Sequence, residues 1–241
     1  MLPSSRAQAE RSLSKHNREP QLAYRTRTTE VCQGFLRILS RLIAVFVFQI
    51  RCEGRQFIPP TGGGLLLSNH QSNLDPWIIG LCSDRLLRYL ARGTLFRFPP
   101  ARWVLLWIGS IPIDRDGTGL GGLKATLKDL KRGELVVMFP EGTRTPDGEV
   151  CTIKPGFCAI AKRSGLPLVP LALDGTFDAW PRQRRFPRAA VIHVCFGEPI
   201  LPEQIASLSD DDLVAEVDRR IRACHAKTRL GRQRAVGHAT P

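Results

Sequence analysis

The sequence contains no hydrophobic run long enough to cross a membrane. In its 241 residues the longest unbroken apolar stretch is 42–48, seven residues, whereas a spanning helix needs about 20. Residues 1–20 are polar and of mixed charge, without the apolar stretch of a signal peptide. We therefore exclude a polytopic membrane protein and expect a chain that is not exported.

Metal-binding cysteine patterns are also missing. There are seven cysteines, an odd number, with no C-x-x-C pair and no closely spaced Cys/His pairs of the kind zinc sites use. Most lie among apolar neighbours, as Cys195 does. We expect buried free thiols in a reducing compartment, no bound metal and no cofactor.

Lysine is scarce but arginine is abundant. Only seven of the 35 cations are lysines, and the 22 acids leave a net charge of +13. Such a charge predicts an anionic partner, either nucleic acid or the anionic face of a membrane. Composition is compatible with both.

The basic charge is concentrated in two segments without apolar periodicity, residues 1–28 and 228–241. We interpret them as solvated tails; contact with anionic lipid or nucleic acid is the alternative.

Residues 29–50, which follow the first of these tails, contain the most hydrophobic stretch of the sequence. Arg37 and Arg41 lie four apart and share one face of a helix there. We predict an amphipathic helix lying in the membrane interface, with a core helix feeding a strand as the alternative.

Strand and helix patterns alternate along the rest of the chain. Buried strands are expected at 64–68, 111–113, 135–139, 168–173 and 190–196. Helices are expected at 76–82, 120–130, 157–164 and 210–224. This alternation predicts a single α/β domain over residues 51–227, with a largely parallel sheet flanked by helices.

A histidine and an aspartate follow the first of these strands. His70 stands just past the strand's carboxyl end, where α/β sheets build their sites, and Asp75 precedes a helix with Pro76 at its first position. A carboxylate on one imidazole nitrogen lets the other remove a proton from an alcohol. We predict Asp75 at the cap of this helix, and taken alone the pair is better interpreted as a helix cap and a turn histidine than as a catalytic pair.

Two further loops carry phosphate-binding chemistry. The strand at 135–139 runs into Pro140-Glu141-Gly142-Thr143-Arg144. Its glycine lets backbone amides approach a phosphate, and its arginine offers a planar fork of donors. A third segment places Arg115 just after a short strand.

These segments, with one more, resemble the four blocks of the glycerolipid acyltransferase family. The blocks are N-H-x-x-x-x-D-P, G-x-I-P-I-D-R, F-P-E-G-T-R and V-P-L-A-L, at 69–76, 109–115, 139–144 and 169–173. They occur in the family's order and span 47–175, and the resemblance is greatest to bacterial 1-acylglycerol-3-phosphate acyltransferases. Four ordered blocks are far more specific than one.

The resemblance implies an O-acyltransferase that makes phosphatidate from acyl-CoA or acyl carrier protein. It implies that His70 is the general base and that Asp75 orients it, and the sequence has no G-x-S-x-G nucleophile elbow that would form an acyl-enzyme. The phosphate-binding roles carry over to Arg115, Glu141, Gly142, Thr143 and Arg144, and Lys154 matches a basic position downstream.

Two segments stay open. Residues 95–108 interleave aromatics with arginines, which suits headgroup-level insertion or an acyl-chain tunnel, with core packing as the equally weighted alternative. The Arg-rich stretch 174–188 matches no block of the family, so the acceptor could be another lysolipid, such as a lyso-ornithine lipid or other lysophospholipid. A non-catalytic nucleic-acid-binding protein is a remote alternative without any supporting motif. We expect partners to be an anionic membrane surface, a lysophospholipid and the acyl donor, at the cytoplasmic face of a membrane, with no nucleic acid.

Overall fold

The computed structural model describes residues 40, 42, 46–92, 110–113 and 120–237. The chain divides into two units, 1–42 and 43–241. Of the first unit only residues 40 and 42 are described, both in helical conformation. Most of the interfacial segment expected at 29–50, the stretch 95–108 and Arg115 therefore lie outside the described residues. The second unit contains the elements that follow.

Seven strands form one sheet in the described part of the second unit. They are β1 (Ile50–Glu53), β2 (Gly64–Ser68), β3 (Leu87–Arg92), β4 (Ser110–Ile113), β5 (Leu135–Met138), β6 (Leu168–Asp174) and β7 (Ile192–Phe196). Their order is β1-β7-β6-β2-β5-β3-β4. The β6–β7 pair is antiparallel and the other neighbours are parallel. The predicted α/β fold with a largely parallel sheet is confirmed.

Helices cover both faces of this sheet. They are α1 (Asp75–Cys82), α2 (Leu120–Lys131), α3 (Cys158–Ser164), α4 (Thr176–Ala179), α5 (Pro202–Ser207) and α6 (Asp210–Gly237). Alternating residues of the central strands point to opposite faces. Leu66 packs with Ile78 and Ile79 of α1 on one face, whereas Leu65 and Leu67 pack with α3 and α6 on the other. Because both faces are covered, β2 is buried along its whole length.

The strands that the sequence reading missed are β1 and β3. Their sequences, IRCE and LRYLAR, mix arginine with apolar residues. In β1 exposed and half-buried residues alternate, because this strand is at the edge of the described sheet and only one of its faces is covered. The helical residues 46–48 before β1 also have one buried and one exposed side. Phe48 is buried and packs edge-on against Trp77, whereas Phe46 is 80% exposed.

The last helix is longer than predicted. We expected it to end near Cys224 and a basic tail to begin at residue 228, but α6 continues to Gly237. Thr228 and Ala235 are buried, and Arg232 binds Asp174 and Asp178. The tail prediction is wrong for residues 228–237, because these contacts with the sheet extend the helix through an arginine-rich sequence.

The cysteine prediction is confirmed in part. Among the six cysteines in the described residues, none forms a disulfide, and four are buried. Cys52 and Cys151 are only half-buried.

Candidate active site

Two of the predicted motifs, those of His70 and Glu141, meet where two neighbouring strands end. β2 and β5 are parallel and paired, so the loops that follow them leave from the same edge of the sheet. β2 continues into α1 on one face and β5 continues towards α3 on the other. Neighbouring loops that diverge in this way open a crevice at the carboxyl ends of the strands, the usual position of ligand sites in α/β sheets.

His70 and Asp75 form a close pair in the loop after β2. Nδ1 of His70 lies 2.7 Å from Oδ2 of Asp75. The Asp75 side chain is fully buried, whereas that of His70 is 19% exposed. Because a carboxylate only accepts, Nδ1 carries the proton and Nε2 is the basic nitrogen. Nε2 makes no hydrogen bond to another described residue.

Asp75 does not cap the helix as predicted. It is the first residue of α1, and its Oδ2 accepts hydrogen bonds from the backbone amides of Gln71 (2.6 Å) and Ser72 (2.8 Å). Its carboxylate thus holds the preceding loop around itself. With two amides and the imidazole bonded to one oxygen, this buried charge is stabilised and fixed in position.

Phe139 and Thr145 hold the imidazole of His70 from the neighbouring loop. The Phe139 ring stacks on the imidazole, with centroids 4.0 Å apart and planes at 21°. The amide of Thr145 donates to the carbonyl of His70 at 2.8 Å. The loop after β5 therefore positions the histidine through both its ring and its main chain.

Glu141 joins the same two loops. It is 1% exposed, and its carboxylate accepts hydrogen bonds from the amides of His70 (2.9 Å) and Cys151 (3.2 Å). Burial raises the pKa of the Glu141 carboxyl, and these amide hydrogen bonds oppose that rise. Glu141 thus orders the backbone beside the histidine, and its two oxygens bond to the protein.

The remaining predicted residues lie along the same loop. Gly142 has φ 71°, a left-handed conformation that a side chain would strain. Thr143 is exposed and Arg144 half-buried. Burial, followed by the positive charge of Arg182, lowers the pKa of the Arg144 guanidinium. Lys154 is exposed, and its amide donates to the carbonyl of Pro140 at 3.0 Å.

Three residues of the first block that we did not single out are structural. The Asn69 amide pairs with the backbone of Leu173 in both directions, at 3.0 and 2.9 Å. Ser72 Oγ donates to the carbonyl of Trp180 at 2.7 Å. Gln71, 1% exposed, donates to the carbonyl of Gly148 at 2.7 Å. All three lie inside the motif at 69–76, and this position in the motif is the sequence feature that could have indicated their importance.

Gln71 also connects the loop that carries His70 to the helices α4 and α6. Its Oε1 accepts from Thr176 at 3.1 Å, and its Nε2 lies 3.4 Å from Nε2 of His225 on α6. His225 in turn lies 3.7 Å from Asp174, which binds Arg232 at 3.1 Å. A buried polar network thus runs from α6 to the residue next to His70.

The arrangement can remove a proton from an alcohol and hold an anion nearby. The imidazole of His70 is partly exposed, and the next loop carries an arginine and a glycine with a positive φ. Across the described ranges, no group of three His, Cys, Asp or Glu side chains has metal-binding geometry.

Comparisons with known proteins agree with these motifs. A 1-acyl-sn-glycerol-3-phosphate acyltransferase of Pseudomonas aeruginosa is 31% identical over 216 residues, 87% of this chain and 80% of the relative. The chloroplastic acyltransferase LPAT1 of Arabidopsis thaliana is 30% identical over 151 residues, and the match spans only 42% of its length.

The fold has a counterpart among solved structures. The crystal structure of the 1-acyl-sn-glycerophosphate acyltransferase PlsC from Thermotoga maritima matches 83% of both chains, with a TM-score of 0.67 and 24% identity. The family model described as Acyltransferase matches residues 49–174, more than half of the sequence. The family resemblance read from the four blocks is confirmed: the chain belongs to the acyltransferase family.

Proposed function

We propose that the protein transfers an acyl group from a thioester to the free hydroxyl of 1-acylglycerol-3-phosphate, giving phosphatidate for phospholipid synthesis. The donor is acyl-CoA or acyl carrier protein. Relatives named as 1-acylglycerol-3-phosphate acyltransferases from bacteria and plants support this substrate, and so does an arginine-bearing loop beside a candidate base.

The proposed mechanism is a direct transfer with His70 as general base. Nε2 of His70 takes the proton of the acceptor hydroxyl as its oxygen attacks the thioester carbonyl. The tetrahedral intermediate then collapses, the carbon–sulfur bond breaks, and the thiol leaves with a proton returned by the imidazolium. Asp75 stabilises the imidazolium that forms between these steps.

The geometry of the His70–Asp75 pair supports this proposal most strongly. The pair combines a buried, fixed carboxylate with a partly exposed imidazole at the carboxyl end of a central strand. A positioned base typically contributes ~10²–10⁴-fold. Much of the remaining acceleration must come from holding both substrates in the crevice.

The acceptor phosphate is assigned to the loop after β5. Arg144 would bind it with its planar donor fork, and Gly142 and Thr143 would present backbone and hydroxyl donors. Glu141 would shape this loop through the two amides that it binds. Arg115 and Lys154 complete the proposed set on the family resemblance.

We further propose association with the cytoplasmic face of a membrane. The net charge of +13 suits an anionic lipid surface. No helix within the described ranges is long and apolar enough to cross a bilayer. Binding at the membrane interface predicts that high-salt or alkaline washing releases at least part of the protein, and complete resistance to both would contradict it.

The direct test is thiol release from oleoyl-CoA with and without lysophosphatidate. We expect acceptor-dependent release by the wild type and its loss in His70→Ala. Asp75→Asn should also lose the release, and Asp84→Asn, which changes an exposed acid paired with Arg55, is its matched control and should release thiol at the wild-type rate. If lysophosphatidate is inert while a lyso-ornithine lipid or another lysolipid turns over, the acceptor assignment is wrong and the reaction class stands. Acceptor-dependent release that persists in His70→Ala would exclude His70 as the base.

A further inference from the structure

An arginine-rich segment outside the four family blocks lies beside the candidate site. Residues 181–188 follow α4 and contain four arginines. The segment is ordered by its own contacts: Trp180 Nε1 donates to the carbonyl of Arg184 at 2.9 Å, and Arg188 donates to the carbonyls of Ala179 and Asp178 at 2.9 and 2.7 Å. The Arg185 guanidinium lies 5.5 Å from the centre of the Phe186 ring. The segment therefore presents its side chains from a defined turn.

Arg182 and Arg144 are both anchored to the loop that carries His70. Ser72 Oγ donates to the carbonyl of Trp180 at 2.7 Å, two residues before Arg182. The amide of Thr145 donates to the carbonyl of His70 at 2.8 Å, one residue after Arg144. Each arginine thus lies within two residues of a short hydrogen bond to the loop 70–72.

Neither of these two arginines is paired with an acid in the part of the chain that the structure describes. The charge of Arg182 lowers the pKa of Arg144 in addition to the larger effect of burial, while Asp75 acts in the opposite direction. Asp75 is already bonded to His70 and two amides. The two cations therefore repel each other, and an anion bound by both would remove that repulsion.

We propose that Arg182 is a second binding residue for a phosphate monoester, acting with Arg144, and that it selects phosphorylated over neutral lysolipids. The inference deepens the proposed function and rests on it for the identity of the acceptor. Two guanidinium forks can each bind two oxygens of one phosphate group, which a single arginine and backbone amides cannot match in charge. The same chemistry could instead bind a phosphate of the acyl-CoA donor.

The kinetics of Arg182→Gln distinguish binding of the acceptor phosphate from binding of a phosphate of acyl-CoA. We expect the KM for lysophosphatidate to rise about 10–100-fold, as for the loss of a charge-assisted contact, while the KM for acyl-CoA changes less than twofold. The preference for lysophosphatidate over monoacylglycerol should fall by a similar factor. Arg185→Gln in the same segment is the matched control and should leave both KM values unchanged. A rise confined to the KM for acyl-CoA, or no change in either KM, would overturn the assignment.

A binding measurement separates this inference from the proposed function. Glycerol 3-phosphate should raise the unfolding temperature of the wild type and of Arg185→Gln, and should raise that of Arg182→Gln much less. Without ligand, Arg182→Gln should unfold no earlier than the wild type, because the substitution removes a repulsion. Earlier unfolding of the unliganded variant would indicate a structural role and overturn the inference. If the wild type binds glycerol 3-phosphate through Arg182 but does not acylate lysophosphatidate, the function is wrong and the phosphate site stands.

Discussion

Two histidine–aspartate pairs lie at the same edge of the sheet and differ in every property that matters for catalysis. In His70–Asp75 the two side chains are 2.7 Å apart, and the imidazole is 19% exposed. In His225–Asp174 they are 3.7 Å apart, and both side chains are 7% exposed. Asp75 accepts from two backbone amides of the loop that carries its histidine, whereas Asp174 also binds the charged side chain of Arg232, on the same helix as His225.

The difference shows that a histidine next to an aspartate is not by itself a catalytic feature. A base needs a carboxylate committed to one of its nitrogens and a second nitrogen that substrate can reach. His70 has both, whereas His225 has its ring enclosed between Gln71 and Asp174. We interpret the first pair as catalytic and the second as a structural link between α6 and the sheet.

The largest expected effect is on the activity of His70→Ala. Removal of the base should lower kcat ~10²–10⁴-fold, with little change in the urea midpoint because the ring is partly exposed and stacks on one side only. Steady-state rates and urea unfolding of the same preparation check both expectations. A similar loss of activity in His225→Ala without loss of stability would reverse the two assignments.

Asp75→Asn should lower both the activity and the stability of the protein. The amide side chain cannot hold the proton-bearing nitrogen of His70 as a carboxylate does, so we expect kcat to fall ~10²–10⁴-fold. The loss of an ionised acceptor for two buried amides should also lower the free energy of unfolding by about 1–3 kcal/mol. Urea titration measures the second effect. Unchanged stability would show that Asp75 does not order the loop.

Gln71→Met tests the connection between the two pairs. Methionine fills the volume but leaves the carbonyl of Gly148 and the hydroxyl of Thr176 without their partner, so we expect a loss of about 1–3 kcal/mol. The catalytic residues remain, so kcat should fall less than tenfold, and its pH profile should keep its shape. A shifted profile would mean that Gln71 influences the basicity of His70 directly.

The smallest effect concerns acid stability. Burial alone would raise the pKa of Asp174, but the nearby imidazole of His225 and the hydrogen-bonded guanidinium of Arg232 outweigh it and hold the pKa well below its usual range. A depressed pKa contributes stability above the unfolded value of about 3.9, and that contribution is lost as the pH falls further. Asp174→Asn should therefore be less stable than the wild type at pH 7, and the difference should shrink below about pH 4. A constant difference from pH 7 to pH 3, measured by urea unfolding, would contradict this.

Sequence patterns were sufficient where burial was uniform and chemistry was local. The apolar run Gly64–Ser68 is buried at every position and was predicted with the correct bounds. Asp75 follows His70 by five residues, so a single loop brings them together. The strands β1 and β3 were missed because charged residues interrupt their apolar pattern, and in β1 these residues lie on an exposed face.

Contacts between distant segments could not be read from the sequence in the same way. Gln71 is 154 residues from His225, and a buried amide has the same sequence signature as a solvated one. The arginines of α6 predicted a solvated tail because their partners, such as Asp174 for Arg232, lie on another element. Arg182 was noted but not assigned, since only its anchoring through Trp180 places it beside His70.

The pairing of β1 with β7 has a consequence for the timing of synthesis. Ile50 pairs with Ile192, and the side chain of Gln71 contacts Thr176 and His225. These early segments can therefore form their native contacts only after the later segments have been synthesised. At about 5–20 residues per second, a ribosome adds the roughly 170 residues from His70 to the end of α6 in about 10–30 seconds. During that interval the nascent chain carries its histidine motif without the elements that enclose it. The site is therefore assembled as the last helix emerges, and partly made chains hold the motif without an organised crevice.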